Sequence, residues 1–215
     1  MLPSPLARFP FRLQKEYITN VDEKAAKSEF LSTAIRLSDK QMPEGYSQLP
    51  PVCEKLGIEV PDLYMVQSKS KKDLNAFTGG ITTSFVCVTS ELVKQMAPDI
   101  VASILAHECG HIVCKHYLYH SLARSFANGI EASPLSKIPA LRKHITKTLV
   151  TALLFWDRCS ELSADRAAVL CDEDAGKTID TLLRVHGFDQ NINQEEFIKQ
   201  ELDLKGLRMN PRQTR

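Results

Sequence analysis

The sequence predicts an α+β fold, predominantly helical, with a small β-sheet. Three observations carry that reading. Apolar residues recur at helical spacing through most of the chain from Pro98 onward. Two short runs, Leu63 to Gln67 and Phe85 to Thr89, have the β-branched and aromatic content of strands and are bounded by polar or glycine-containing turns. The composition is that of an ordinary folded domain: 215 residues, 43% apolar and 25% charged. A chain of this size removes roughly 70% of its unfolded surface from water, enough for a core without staples.

The elements follow in order. Residues 1–18, with Pro3, Pro5 and Pro10, read as an irregular arm. They lack the apolar stretch of about 7–15 residues that a secretory signal needs. Asn20 with Glu23 forms a capping-box pattern, and Ala25, Ala26, Phe30, Leu31, Ala34, Ile35 and Leu37 predict a first helix near 20–38. Residues 41–50 form a loop, and Pro51 to Leu56 a short helix that Gly57 stops. The strand at 63–67 follows, then Gly79-Gly80 as a turn, then the strand at 85–89. Pro98 opens a long helix running to about Ala123, and further helices fit 138–158, 159–171, 175–185 and 193–204. The last is capped by Asn193 with Glu196, and Gly206 lies just beyond it. The organisation expected is an N-terminal arm (1–18), a main domain (19–190), and a C-terminal helix and tail (191–215).

Several function classes are excluded early. Net charge is +1, so there is no global field for nucleic acid or anionic lipid. The longest apolar run, Leu149 to Trp156, is interrupted by Thr151 and closed by Asp157, well short of the roughly 20 residues of a membrane span. Cys53, Cys87, Cys109, Cys114, Cys159 and Cys171 include no C-x-x-C pair, so a zinc ribbon or thioredoxin motif is absent. Most lie in apolar segments, which predicts free thiols in a reducing, cytoplasmic compartment.

The chemistry concentrates in residues 106–116, AHECGHIVCKH. His107 and His111 are four residues apart, on one face of a helix and about 6 Å apart along its axis, so two imidazoles can grip one metal ion. Glu108 lies angularly between them, beside the ion but free not to bind it, where a general base would stand. The apolar lead-in Ile100 to Ala106 implies a buried helix, in which unpaired polar groups would be costly. His116 is five residues after His111. Five residues rotate a helix by about 500°, so His116 is expected to point away from the metal-binding face, packed or on the surface rather than a ligand.

A catalytic zinc takes three protein ligands and keeps one position open. The strongest source of a third is SELSADRAA, residues 160–168. Glu161 and Asp165 share a helix face whose other positions are small (Ser163, Ala164, Ala167, Ala168), so the two helices could approach closely. Glu161 would then reach the ion, and Asp165 could orient a ligand imidazole through its other ring nitrogen. Glu131, Asp157, Asp172 and Asp174 compete for the ligand role but lack that small-residue face.

AHECGHIVCKH followed some 50 residues later by ELSADRAA resembles the zinc endopeptidases of the HtpX-like and CAAX prenyl endopeptidase family. LNAFTGG, residues 74–80, is similar to that family's Asn-Ala-Phe/Tyr-x-x-Gly element. The resemblance covers residues 74–168. It implies a compact gluzincin domain and one Zn2+ per chain. It also implies ligands His107, His111 and Glu161, Glu108 as general base, Asp165 behind a ligand, and Asn75 with its neighbours Ala76 and Phe77 beside the substrate. The family's membrane branch carries spanning helices that are not found here, so the chain looks like a soluble relative. After the third ligand the family has a His-Pro stretch ending in Arg. This chain has Asn210-Pro211-Arg212, with Asn in place of His, and His186 as another source of an oxyanion-stabilising group.

The function expected is zinc-dependent endopeptidase activity on a peptide or unfolded protein, with no nucleic acid and no membrane span involved. One alternative is a non-catalytic, zinc-stabilised interaction module, which would have no need of Glu108. Another is a peptidase acting on repressors, which the long gap from HExxH to ELSAD and the presence of LNAFTGG disfavour.

Overall fold

A computed structural model describes residues 32–80, 84–117, 139–188 and 192–208. The first described strand, β1 (Ile35–Leu37), is followed by two short helices, α1 (Pro43–Tyr46) and α2 (Leu49–Leu56). Strands β2 (Asp62–Val66), β3 (Ala76–Gly79) and β4 (Phe85–Thr89) come next. The helices α3 (Ser90–Gln95), α4 (Pro98–Val113), α5 (Pro139–Asp172), α6 (Ala175–Val185) and α7 (Gln194–Arg208) complete the described chain. The architecture is α+β and predominantly helical, with one four-stranded sheet, as the sequence predicts.

The sheet order is β1-β2-β4-β3. The β2 and β4 strands run parallel, with Leu63 opposite Val86 and Met65 opposite Val88, while β1 and β3 add antiparallel at the two edges. All five residues of β4 are buried, as a central strand covered on both faces should be. Leu63, Val86 and Val88 face the main core with Leu49 and Val52 of α2 and Ile100, Val101, Ile104 and Leu105 of α4. Tyr64, Phe85 and Cys87 point the other way into a smaller cluster, where the Tyr64 and Phe85 rings meet edge-on at 5.9 Å.

Several expectations are corrected. Ile35–Leu37 is a strand, not the end of a helix: Arg36 reaches Asp62 across the β1–β2 pair at 2.6 Å, a tertiary pairing that helical periodicity cannot register. The capping pair Asn20 and Glu23 lies outside the described residues. The loop expected at 41–50 contains α1 and the start of α2, each opened by a proline in its first turn. The β3 strand and α3 are additional elements. Gly57 does close α2, in the left-handed conformation at φ 65°. The helices expected at 138–158 and 159–171 are one 34-residue helix, about 50 Å long. Gly206 lies inside α7, whose start is capped as expected: Asn193 Oδ1 accepts from the backbone N–H groups of Glu195 and Glu196.

The contact that sets the rest is between α4 and α5. At Gly110 of α4 a Cβ would lie 2.8 Å from Ala167 Cβ and 2.9 Å from Ala164 Cα, so only glycine fits. Replacing a helix-interior glycine by alanine ordinarily gains roughly 0.5–1 kcal/mol. Here the added methyl meets backbone that cannot move aside, and the sign reverses. Gly110→Ala should destabilise the protein by about 1–3 kcal/mol in denaturant unfolding, the cost of overpacking. A gain in stability would mean that the helices have room to part.

Candidate active site

The α4 helix begins at Pro98, pre-organised for a first helical position, with Asp99 in the exposed first turn, and is largely buried from Ile100 through Gly110. His107, Glu108 and His111 lie on its final two turns. The α5 helix crosses it at Gly110 and presents Glu161 and Asp165, one turn apart. Ligand atoms of His107, His111 and Glu161 fall within 4.8 Å of one another, and no other such group of His, Cys, Asp or Glu occurs among the described residues.

The individual distances test whether these residues suit a metal. The two Nε2 atoms are 3.2 Å apart. Glu161 Oε2 lies 3.5 Å from His107 Nε2, and Glu161 Oε1 lies 3.8 Å from His111 Nε2. Ligand atoms around a tetrahedral zinc at about 2.1 Å are about 3.4 Å apart, so the set fits. The donor chemistry agrees. Asp165 Oδ1 sits 3.0 Å from His107 Nδ1. A proton held there on Nδ1 leaves Nε2 with its lone pair toward Glu161 and His111.

Burial opposes a charge on His107, which is 4% exposed, yet hydrogen bonds from its ring to the Asp165 and Glu161 carboxylates and the nearby charge of Glu108 outweigh it and push the imidazole up to about 10. The carboxylates around this imidazole therefore favour a cation in their midst. Glu108 is 7% exposed, and burial raises its carboxyl above the usual range, with Glu161 adding to the effect. His107 and Thr78 pull it back down. The Thr78 hydroxyl lies 2.8 Å from Glu108 Oε2 and 2.9 Å from its backbone carbonyl, and can donate to either.

Thr78 is a site residue that sequence reasoning missed, although it stands inside the LNAFTGG segment. The two-residue alternation from Ala76 through Thr78 was its signal, once AFTG is read as a strand. That strand, β3, lies at the edge of the sheet among the described strands, and Ala76 and Phe77 on it are half-buried. Asn75 is buried, and its Oδ1 has no hydrogen-bond partner among the described residues. Its backbone N–H donates to Thr89 Oγ1 at 3.0 Å, and its carbonyl accepts from the Thr89 N–H at 2.9 Å, tying the strand's start to the end of β4.

His116 is packed, as expected, but it does not point away. The α4 helix ends at Val113, and Lys115 adopts a left-handed φ of 53°. That turn returns His116 to His111, with their Nδ1 atoms 2.9 Å apart. Rotation along a continuous helix fails as a guide once the helix has stopped.

Asp157, Asp172 and Asp174, the competing ligands among the described residues, fall outside the His107, His111 and Glu161 group. Asp172 accepts from Ser103 and Thr178 and pairs with Lys177, pinning α4, α5 and α6 together. Asp174 caps α6 by accepting from the Gly176 N–H. Asp157 accepts a hydrogen bond from Ser160 through its backbone carbonyl, while Glu131 lies outside the described residues. His186 Nδ1 is 2.6 Å from the Leu182 carbonyl in its own helix, and residues 209–215 lie outside the described residues. All six cysteines are unbridged. Cys53, Cys87 and Cys109 are buried, whereas Cys114 and Cys159 are exposed.

Comparison with known proteins adds to this geometry. A family model described as Peptidase family M48 matches residues 43–209. The chain is 29% identical over 192 residues to the plastoglobule-localized metallopeptidase 48, chloroplastic, of Arabidopsis thaliana, across 86% of this chain and 54% of that protein. It is 21% identical to a protease HtpX homolog of Polynucleobacter necessarius subsp. necessarius, across 74% of this chain and 61% of that protein. The chain thus spans between half and two thirds of the length of these curated relatives. No solved structure matches it. Among the described residues no helix is long and apolar enough to cross a membrane.

The His107 environment makes a prediction for the metal-free protein. The folded value near 10 lies above the ordinary value of about 6.5. The stabilisation this provides is complete below about pH 6.5 and is lost as pH rises through about 10. Denaturant midpoints of chelator-treated protein should therefore fall between pH 7 and 10, and Asp165→Asn should flatten the fall. An unaltered slope in that variant would assign the dependence to another group.

Proposed function

The chain belongs to peptidase family M48, and from that premise we propose that it is a zinc-dependent endopeptidase. His107, His111 and Glu161 are the ligands of one Zn2+ per chain, Glu108 is the general base, and Asp165 orients His107. The observation that most supports this is the convergence of three ligand atoms within 4.8 Å with a buried, proton-seeking carboxylate on the next residue of the same helix. A metal held only for folding needs no such base, which disfavours the interaction-module reading.

When bound, zinc supplies Lewis acidity that brings the pKa of a water toward about 7 and polarises a carbonyl. The remaining work belongs to the chain. Glu108, raised by burial, takes the proton of the attacking water and later delivers it to the leaving amine. Thr78 holds the Glu108 carboxylate in place through its hydroxyl. Asp165 keeps the His107 proton on Nδ1, so that Nε2 remains a ligand.

Substrate is proposed to lie extended along the outer edge of β3, its main chain adding a strand beside Ala76 and Phe77, with Asn75 at the start of that edge. Main-chain pairing of this kind is tolerant of sequence and suits a peptide or an unfolded protein. We place the chain in a reducing, cytoplasmic-type compartment on the strength of its buried thiols. The chloroplast location in one relative's name belongs to that protein.

The test is zinc content measured together with hydrolysis of unfolded casein, with and without chelator. Wild-type protein should hold one zinc and lose activity with it. Glu108→Gln should keep zinc and lose at least about a hundredfold in turnover, because the amide cannot accept a proton at neutral pH. Glu161→Gln should bind zinc more weakly, since a neutral oxygen replaces an anionic one. Stoichiometric zinc at wild-type affinity in Glu161→Gln would move the third ligand elsewhere. Undiminished hydrolysis in Glu108→Gln would assign the activity to another site.

A further inference from the structure

Two imidazoles meet at their Nδ1 atoms beside the metal site, and this contact forces a choice. His111 Nδ1 and His116 Nδ1 are 2.9 Å apart, close enough for one hydrogen bond and therefore for one proton between them. His111 Nε2 lies 3.2 Å from His107 Nε2 and 3.8 Å from Glu161 Oε1, on the ligand side. A proton on His111 Nε2 would abolish its lone pair where the ion must sit. In the ligand-competent tautomer His111 carries its proton on Nδ1, and the atom facing that proton is His116 Nδ1.

We propose that His116 is a positioning residue for the metal ligand His111: a bare His116 Nδ1 accepts the His111 Nδ1–H, which fixes the ligand's tautomer and ring orientation. The inference rests on the metal site proposed above. It does for His111 what Asp165 does for His107, with a neutral acceptor in place of a carboxylate.

The surroundings hold His116 to that task. The left-handed Lys115 folds the chain back so that residue 116 faces residue 111. His116 is buried, and its ring lies at 5.0 Å and 74° to His111 on one side. On the other, Trp156, the single tryptophan of the chain, meets it edge-to-face at 5.6 Å and 90°. Trp156 stands on α5, five residues before Glu161, so the helix that supplies the third ligand also braces the support of the second.

The experiment is the equilibrium affinity of the full chain for Zn2+, measured by competition with a chromophoric chelator, in wild type, His116→Leu and His116→Gln. Leucine fills space but accepts no hydrogen bond, and His116→Leu should bind Zn2+ about 10–100-fold more weakly, the range for loss of a group behind a ligand. Glutamine offers a carbonyl oxygen, and His116→Gln should recover most of the loss. Long-range 1H–15N spectra of the zinc-loaded wild type should place the His111 proton on Nδ1 and the His116 proton on Nε2.

Wild-type affinity in His116→Leu would overturn the proposal, and so would an equal loss in His116→Gln, which would make the role one of packing alone. If His116→Leu does not fold, a proton found on His116 Nδ1 in the wild-type spectra overturns it without any variant. Failure of the wild type itself to take up Zn2+ would remove the peptidase reading as well, whereas the other outcomes leave that reading standing.

Discussion

The approach of α4 to α5 at Gly110 is the constraint on which the rest depends. Four small positions, Gly110, Ala164, Ala167 and Ala168, let two backbones meet with almost nothing between them. Glutamate is short relative to the width of a helix, so its carboxylate reaches the neighbouring histidines only if the axes are this close. One methyl group on Gly110 would strike Ala164 Cα, which belongs to the main chain. Ser103 on Asp172 then fixes the same two helices at a second point, about two turns from Gly110 along α4, and Thr178 ties α6 to it.

Electrostatics takes over where packing ends. Burying His107 and Glu108 beside the half-buried His111, Glu161 and Asp165 would be costly if each stood alone. Here each offsets another. Asp165 and Glu161 favour charge on His107, His107 moderates the upward push on Glu108, and Thr78 supplies the hydrogen bond that burial denies Glu108 from water. The same arrangement welcomes a divalent cation, because the positive charge can be a metal as readily as a proton.

How much of this the sequence revealed depends on the distance over which each feature is encoded. The HExxH spacing is local helix geometry, and ELSAD is recognisable because its small residues and its i,i+4 carboxylates share one short window. The strand at Phe85–Thr89 was legible for the same reason, being a run of apolar and β-branched residues. Ala76–Gly79 was not, because four residues ending in glycine become a strand only through pairing with β4. Ile35–Leu37 was masked by a helical pattern that its pairing with β2 overrides. His116 escaped because a single left-handed residue, Lys115, cancels the rotation that a helix would impose. The break expected near residue 158 has no glycine or proline behind it, and α5 passes through without interruption.

The edge position of β3 among the described strands has a consequence for the substrate proposed above. A segment can add to that edge only when its own amides and carbonyls are unpaired, so a helix or an internal strand of a folded protein is not a competent partner. Attack on a folded target would therefore proceed through moments of local opening, at a rate scaled by how often the segment comes loose. On this view the selectivity of the edge is conformational before it is chemical. An edge of that kind would read the looseness of a chain first and its side chains second, so that, under the proposed function, damaged or unassembled proteins would become targets without any shared motif.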